Sequence, residues 1–142
     1  MGTTTFSGPV KAGTIREGAS ANVGTLVCAQ SAAITELAAN TESAIVIPAN
    51  SQIINMYVLV QTAWDGGTNT IDVGTSADPD LFCDGMPATA VGNHRVTAAY
   101  TGTEANWNDI GTSDVTIYVD SVAAGNGAGV VTVQYLQNRN LS

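Results

Sequence analysis

Ile53-Ile-Asn-Met-Tyr-Val-Leu-Val-Gln-Thr-Ala-Trp64 decides the fold. Its even positions, Ile54, Met56, Val58, Val60, Thr62 and Trp64, form a nearly unbroken apolar row. A period of two is the spacing of one strand face. The odd row, Ile53, Asn55, Tyr57, Leu59, Gln61 and Ala63, is mixed. One face for a core and one for a wetter surface or a neighbouring chain is what a sandwich strand requires. The segment therefore predicts the central strand of a β domain.

Working outward, Asp65-Gly-Gly-Thr-Asn69 is a strong turn signal before Thr70–Gly74, where Ile71 and Val73 flank Asp72. Two strands joined so tightly predict an antiparallel hairpin. On the other side, Ser43–Ile47 is a β-branched run stopped by Pro48, and Ala49-Asn50-Ser51 turns into the central strand. Val23–Gln30 alternates and reads as a strand. Ala32–Asn40 fits a helix through Ile34, Leu37 and Ala38, although a short strand suits its neighbourhood better. Thr75–Ala90 reads as a long irregular stretch, with Leu81, Phe82 and Met86 plugging one end of the core. Arg95–Tyr100, a short segment near Trp107–Ile110, Asp114–Ser121 and Gly129–Gln137 complete the set. About eight short strands with turns between them, and no convincing helix, predict an all-β antiparallel sandwich or barrel.

Residues 1–22 differ in character. Glycines and Pro9 punctuate them, apolar residues are isolated at Phe6, Val10 and Ile15, and two of the four basic residues, Lys11 and Arg16, fall here. This predicts an extended N-terminal arm ahead of a β domain over 23–137, with a short tail at 138–142. Such an arm fits either a frayed tail or a strap that lies on a partner.

At 142 residues the chain has room for one domain with a full core. Charged residues are 11% of it, well below the usual quarter or so. Small neutral polar residues fill the gap, which suits a long-lived assembly because few charges must be desolvated at contacts. The net charge of -8 argues against nucleic acid and against anionic membrane as partners. No apolar run approaches the roughly eighteen residues of a spanning helix. Met1–Phe6 lacks a basic region and an apolar core, which predicts no export. Cys28 and Cys83 are too few for a disulfide scaffold and predict reduced thiols in a cytosol. Asn140-Leu-Ser142 is a terminal sequon match of low information.

No catalytic constellation stands out, and no cofactor is expected. His94 is the one histidine, and there is no Gly-x-Ser-x-Gly elbow to complete a triad. Nothing in the sequence brings it to Cys28 or Cys83 as a thiol pair. Asp78, Asp80 and Asp84, with Asp72 nearby, are a weak cation-loop candidate. They lack the turn Gly and distal Glu of an EF-hand, and turn formation by Asp side chains is the simpler role. Gly125-Asn-Gly-Ala-Gly129 resembles a phosphate loop in composition only. Val130 stands where a third fingerprint Gly belongs and a strand follows, so it reads as a flexible hairpin loop. Trp64 and Trp107 border turns. They could stack on sugars, or cap the ends of the core.

Three patches carry a family resemblance: Thr4-Thr-Phe-Ser-Gly-Pro-Val-Lys-Ala-Gly-Thr-Ile15, Asn69-Thr-Ile-Asp-Val-Gly-Thr-Ser-Ala-Asp-Pro-Asp-Leu-Phe82 and Gly129-Val-Val-Thr-Val-Gln-Tyr-Leu136. They resemble small virion proteins of tailed bacteriophages, marine ones especially. The resemblance implies a capsid decoration or cement protein, a non-enzymatic jelly roll, often trimeric, on the outside of the head. Its implied partners are the major capsid protein and further copies of itself, with Phe6, Val10, Lys11, Ile15 and Arg16 as the capsid-binding arm. Rival expectations are a phage tail or receptor-binding module, and a carbohydrate-binding domain using Trp64 or Trp107.

Overall fold

A computed structural model describes residues 27–100, 104–121 and 124–137. Eight strands run in chain order: β1 Val27–Thr35, β2 Thr41–Ile47, β3 Gln52–Thr62, β4 Thr70–Gly74, β5 Cys83–Pro87, β6 Gly92–Arg95, β7 Val115–Asp120 and β8 Ala128–Leu136. Among the described residues one short helix, α1, spans Glu104–Asn108. The strands form two four-stranded sheets, β1-β8-β3-β6 and β2-β7-β4-β5, in which every pairing is antiparallel. The chain is an all-β, two-sheet sandwich. The predicted arm over 1–22 and tail over 138–142 lie outside the described residues.

The period-two reading of β3 holds through its middle. Met56, Val58 and Val60 face inward and pair with Val133, Val131 and Gly129 of β8. The opposite sheet supplies Ile45, Ile47, Ile71, Val73, Ile117 and Val119, all buried. Each such aliphatic side chain contributes roughly 1.5–3 kcal/mol of transfer free energy. Phe82, Met86 and Trp64 are buried in the same cluster. β3 lies inside its sheet, between β8 and β6.

The period fails at two points, one being a bulge between Val60 and Thr62 that leaves Thr62 of the even row exposed. At the other, β3 carries a bulge between Ile53 and Asn55, so Ile54 has no partner on β8. The extra residue reverses the facing. Ile53 is buried in the core and Ile54 is turned partly outward, the opposite of what the even row predicts.

The predicted β3–β4 hairpin does not form. β3 and β4 belong to different sheets, and Asp65–Asn69 carries the chain across the end of the sandwich. Trp64 N–H donates to Ala88 O (3.0 Å) and Ala88 N–H to Asn69 O (2.8 Å), fixing that crossing on the segment after β5. Of all consecutive strands only β4 and β5 share a sheet. A turn signal marks a reversal but not which sheet the chain rejoins.

Other boundaries moved for local reasons. β1 runs five residues beyond the predicted Val23–Gln30 stop to Thr35, absorbing the first part of the ambiguous 32–40 segment as strand. β5 lies inside the stretch read as irregular. Gly85 at φ 65 and Pro87 disguise it, and its pairing with β4 is itself bulged. The strand expected over 95–100 ends at Arg95, and Tyr100 N–H closes a turn onto Thr97 O (2.8 Å). The segment near Trp107 is helix, not strand.

Candidate functional site

The two outer sheet faces differ in charge. On the β1-β8-β3-β6 sheet the outward residues include Val27, Ala29 and Ser31 of β1, Val130, Thr132 and Gln134 of β8, and Tyr57 and Leu59 of β3. Registers place Ser31 beside Thr132, and Tyr57 and Leu59 beside Thr132 and Val130. The Ser31 and Thr132 hydroxyls are hydrogen-bonded at 2.8 Å. Val27 is 56% exposed and Leu59 is 39% exposed. A shallow depression of about 560 Å³ lies over Tyr57, Leu59, Val130 and Thr132. No strand of this sheet contains an acidic residue, and Arg95 is its single Lys or Arg.

The opposite face is acidic. Glu42, Asp72, Asp84 and Asp120 all lie on the β2-β7-β4-β5 sheet, and Asp72 sits directly across from Asp120. Burial, and then the charges of Asp84, Asp120 and Asp80, push the Asp72 carboxyl up, against a lowering hydrogen bond from Gly85 N–H. The Tyr118 hydroxyl donates to Glu42 (3.1 Å), which pushes its own titration up.

The loop acids do not assemble a cation site. Thr75 N–H donates to Asp78 O (2.8 Å) and Asp78 N–H to Thr75 Oγ1 (3.1 Å), so this loop folds on itself as an Asp–Pro turn. A hydrogen bond with Asp80 holds the Asp78 carboxyl above its ordinary value. Among the described residues no three or more His, Cys, Asp or Glu side chains are grouped to hold a metal.

The thiols and the histidine are apart. Cys28 is on β1 and His94 on β6, opposite edges of one sheet. Three strand spacings of about 4.8 Å separate them. Cys83 is buried in the other sheet, and burial pushes its thiol up to about 12. Such burial disfavours the thiolate that nucleophilic attack requires.

Trp64 and Trp107 part company. Trp64 is 3% exposed, and its indole N–H is hydrogen-bonded to buried Ser121. It caps the core and has no free face for a sugar, which removes it as a glycan contact. Trp107, on α1, is half-buried; its Nε1–H donates to Phe82 O (2.9 Å), and its ring borders a cleft of about 480 Å³.

Sequence reasoning missed Glu36. It is fully buried just past β1, and its carboxylate accepts from the backbone N–H groups of Asp65 (3.1 Å), Gly66 and Gly127 (2.8 Å). Asp65 in turn accepts from Asn126 N–H (3.0 Å). The Gly125–Gly129 segment is thus neither a hairpin loop, since β7 and β8 lie in different sheets, nor loose. A Cβ at Gly127 would overlap the Trp64 ring and the Glu36 carboxylate, and one at Gly125 both Glu36 and Asp65. The glycines let two loops close on one carboxylate. Phe6, Val10, Lys11, Ile15 and Arg16, expected to form a capsid-binding arm, lie outside the described residues.

No protein-family model matches the chain, and neither does a curated protein. Among solved structures it is similar to one described as a cyanophage Pam1 capsid asymmetric unit, with 15% identity and a TM-score of 0.48, covering 95% of this chain and 97% of that one.

Proposed function

We propose that this chain is a non-enzymatic structural virion protein of a tailed bacteriophage. In this reading it binds the outer surface of the head and cements neighbouring capsomers. The observation that carries the reading is the acid-free outer face of the β1-β8-β3-β6 sheet, with Val27 and Leu59 exposed on it. A broad face with almost no charge to desolvate suits persistent protein contact. The resemblance of Thr4–Ile15, Asn69–Phe82 and Gly129–Leu136 to phage virion proteins supports the setting. The strand pairs nest as β1 with β8, β2 with β7, β3 with β6 and β4 with β5, which supports a jelly roll.

The mechanism is association through the neutral face, as a homotrimer, with each arm laid on the major capsid protein. Phe6, Val10 and Ile15 supply apolar anchors and Lys11 and Arg16 the charge. Several weak contacts per trimer act together, so avidity exceeds any single contact. Repetition on a symmetric shell multiplies it. Light scattering tests the first step. The expected mass is about three times the 14.5 kDa of one chain, and Leu59→Lys should reduce it to one. A wild-type monomer at high concentration overturns the pre-formed trimer.

A further inference from the structure

β6 stops short of its neighbour. It pairs with β3 only from Tyr57↔Arg95 to Val60↔Gly92, with one more bond from Val96 N–H to Met56 O (2.9 Å). β3 continues back to Gln52, so on this side its Gln52–Asn55 edge has no strand partner among the described residues. The cleft of about 480 Å³ lies along this edge, lined by Gln52, Ile54, Arg95, Ala98, Trp107 and neighbours. That volume is within the range of ligand sites.

Three features converge on it. The bulge takes Ile54 out of the core and places it on the cleft wall, a recognised use of bulges beside binding sites. Trp107 is held by Phe82 O and presents its ring to the same space. Arg95 is the only Lys or Arg among the described residues, is exposed, and forms no ion pair among them. Its Nε–H donates to Asn55 Oδ1 (2.8 Å), which fixes the guanidinium plane. In a chain of net charge -8, an oriented guanidinium with no carboxylate partner among the described side chains can still accept one bidentately.

We propose that this cleft binds an extended peptide segment of a partner protein carrying a carboxylate side chain next to an apolar one. The main chain adds to the stretch of β3 edge that β6 leaves unpaired, beside α1, the carboxylate meets Arg95, and the apolar side chain rests on Ile54 and Trp107. This is strand addition with one charged anchor. An aromatic and an arginine are the residue types that dominate such contacts. The site stands independently of the head-binding reading.

The test uses the full chain, labelled with nitrogen-15, and peptides of about eight residues, one strand length. The peptides alternate Val and Thr, with one Asp stepped through each position and an Asn counterpart for each. Expected are saturable amide shifts confined to Gln52–Asn55 and Arg95–Ala98, with the best Asp peptide binding about tenfold more tightly than its Asn counterpart. Arg95→Gln, an exposed change that leaves the remaining spectrum in place, should bring that ratio to about one, and Arg95→Lys should leave it intermediate. Absence of shifts at millimolar peptide, or a ratio that survives Arg95→Gln, overturns the proposal. Binding of glucuronate at these residues without peptide binding also overturns it, in favour of an acidic-sugar site.

Discussion

Glu36 is a carboxylate at zero exposure whose charge is met by three backbone N–H groups from two separate loops. Removing such an acceptor leaves buried donors unpaired, which costs more than the bond itself contributes. Glu36→Gln turns one acceptor oxygen into a donor that faces those N–H groups. It should lower unfolding free energy by about 2–4 kcal/mol in urea titration, whereas an exposed acid change such as Glu42→Gln should stay within about 0.5 kcal/mol. Gly127→Ala should be costly for the same reason, because the added carbon meets Trp64 and Glu36. Asp72 has the opposite sign. Its folded carboxyl titrates above the ordinary range, so its proton stabilises the fold at acid pH, and that stability is lost as pH rises through the raised value. Asp72→Asn keeps an acceptor for Gly85 N–H. At neutral pH it should raise stability by about 0.5 kcal/mol, discounted for a half-exposed site, and it should flatten the thermal-stability profile from acid to neutral pH. None of this was legible beforehand. Glu36 in Ile34-Thr-Glu-Leu37 looks like an ordinary surface acid until the topology brings two distant turns to it.

At the scale of elements, the alternation of Met56, Val58 and Val60 was enough to identify β3 and its inward face, and Ile117 with Val119 did the same for β7. Alternation cannot register an inserted residue, and so Ile53 and Ile54 exchange roles at the bulge. The two are separable by experiment. Ile53→Ala should cost about 2–4 kcal/mol in chemical denaturation, the range for a buried aliphatic, and Ile54→Ala about 1 kcal/mol or less. Equal costs would mean that β3 runs without the bulge. Strand connectivity was the least legible feature. Asp65–Asn69 and Gly125–Gly129 both look like hairpin turns, yet each crosses between sheets. Local turn chemistry specifies a reversal, while the partner of each strand depends on which apolar faces must meet. The open β3 edge was hidden for the same reason, since it exists only because β6 ends at Arg95.

For the whole molecule, composition alone pointed to low charge and small polar cover, but not to its segregation. Folding sorts Glu42, Asp72, Asp84 and Asp120 onto one sheet and leaves the other without acids. The acidic face repels its own copies, and the neutral face does not. Contact between copies through the neutral face, with arms reaching outward, is the arrangement that the head-binding reading requires. Deleting residues 1–18 should leave the oligomer mass per chain unchanged while weakening attachment to heads, since self-association and docking are assigned to different parts. Head binding is decided by sedimentation of purified chain with phage heads assembled without it. Saturable co-sedimentation and a higher rupture temperature of the decorated heads are expected. A chain that stays in the supernatant at every concentration, with head stability unchanged, would contradict head binding.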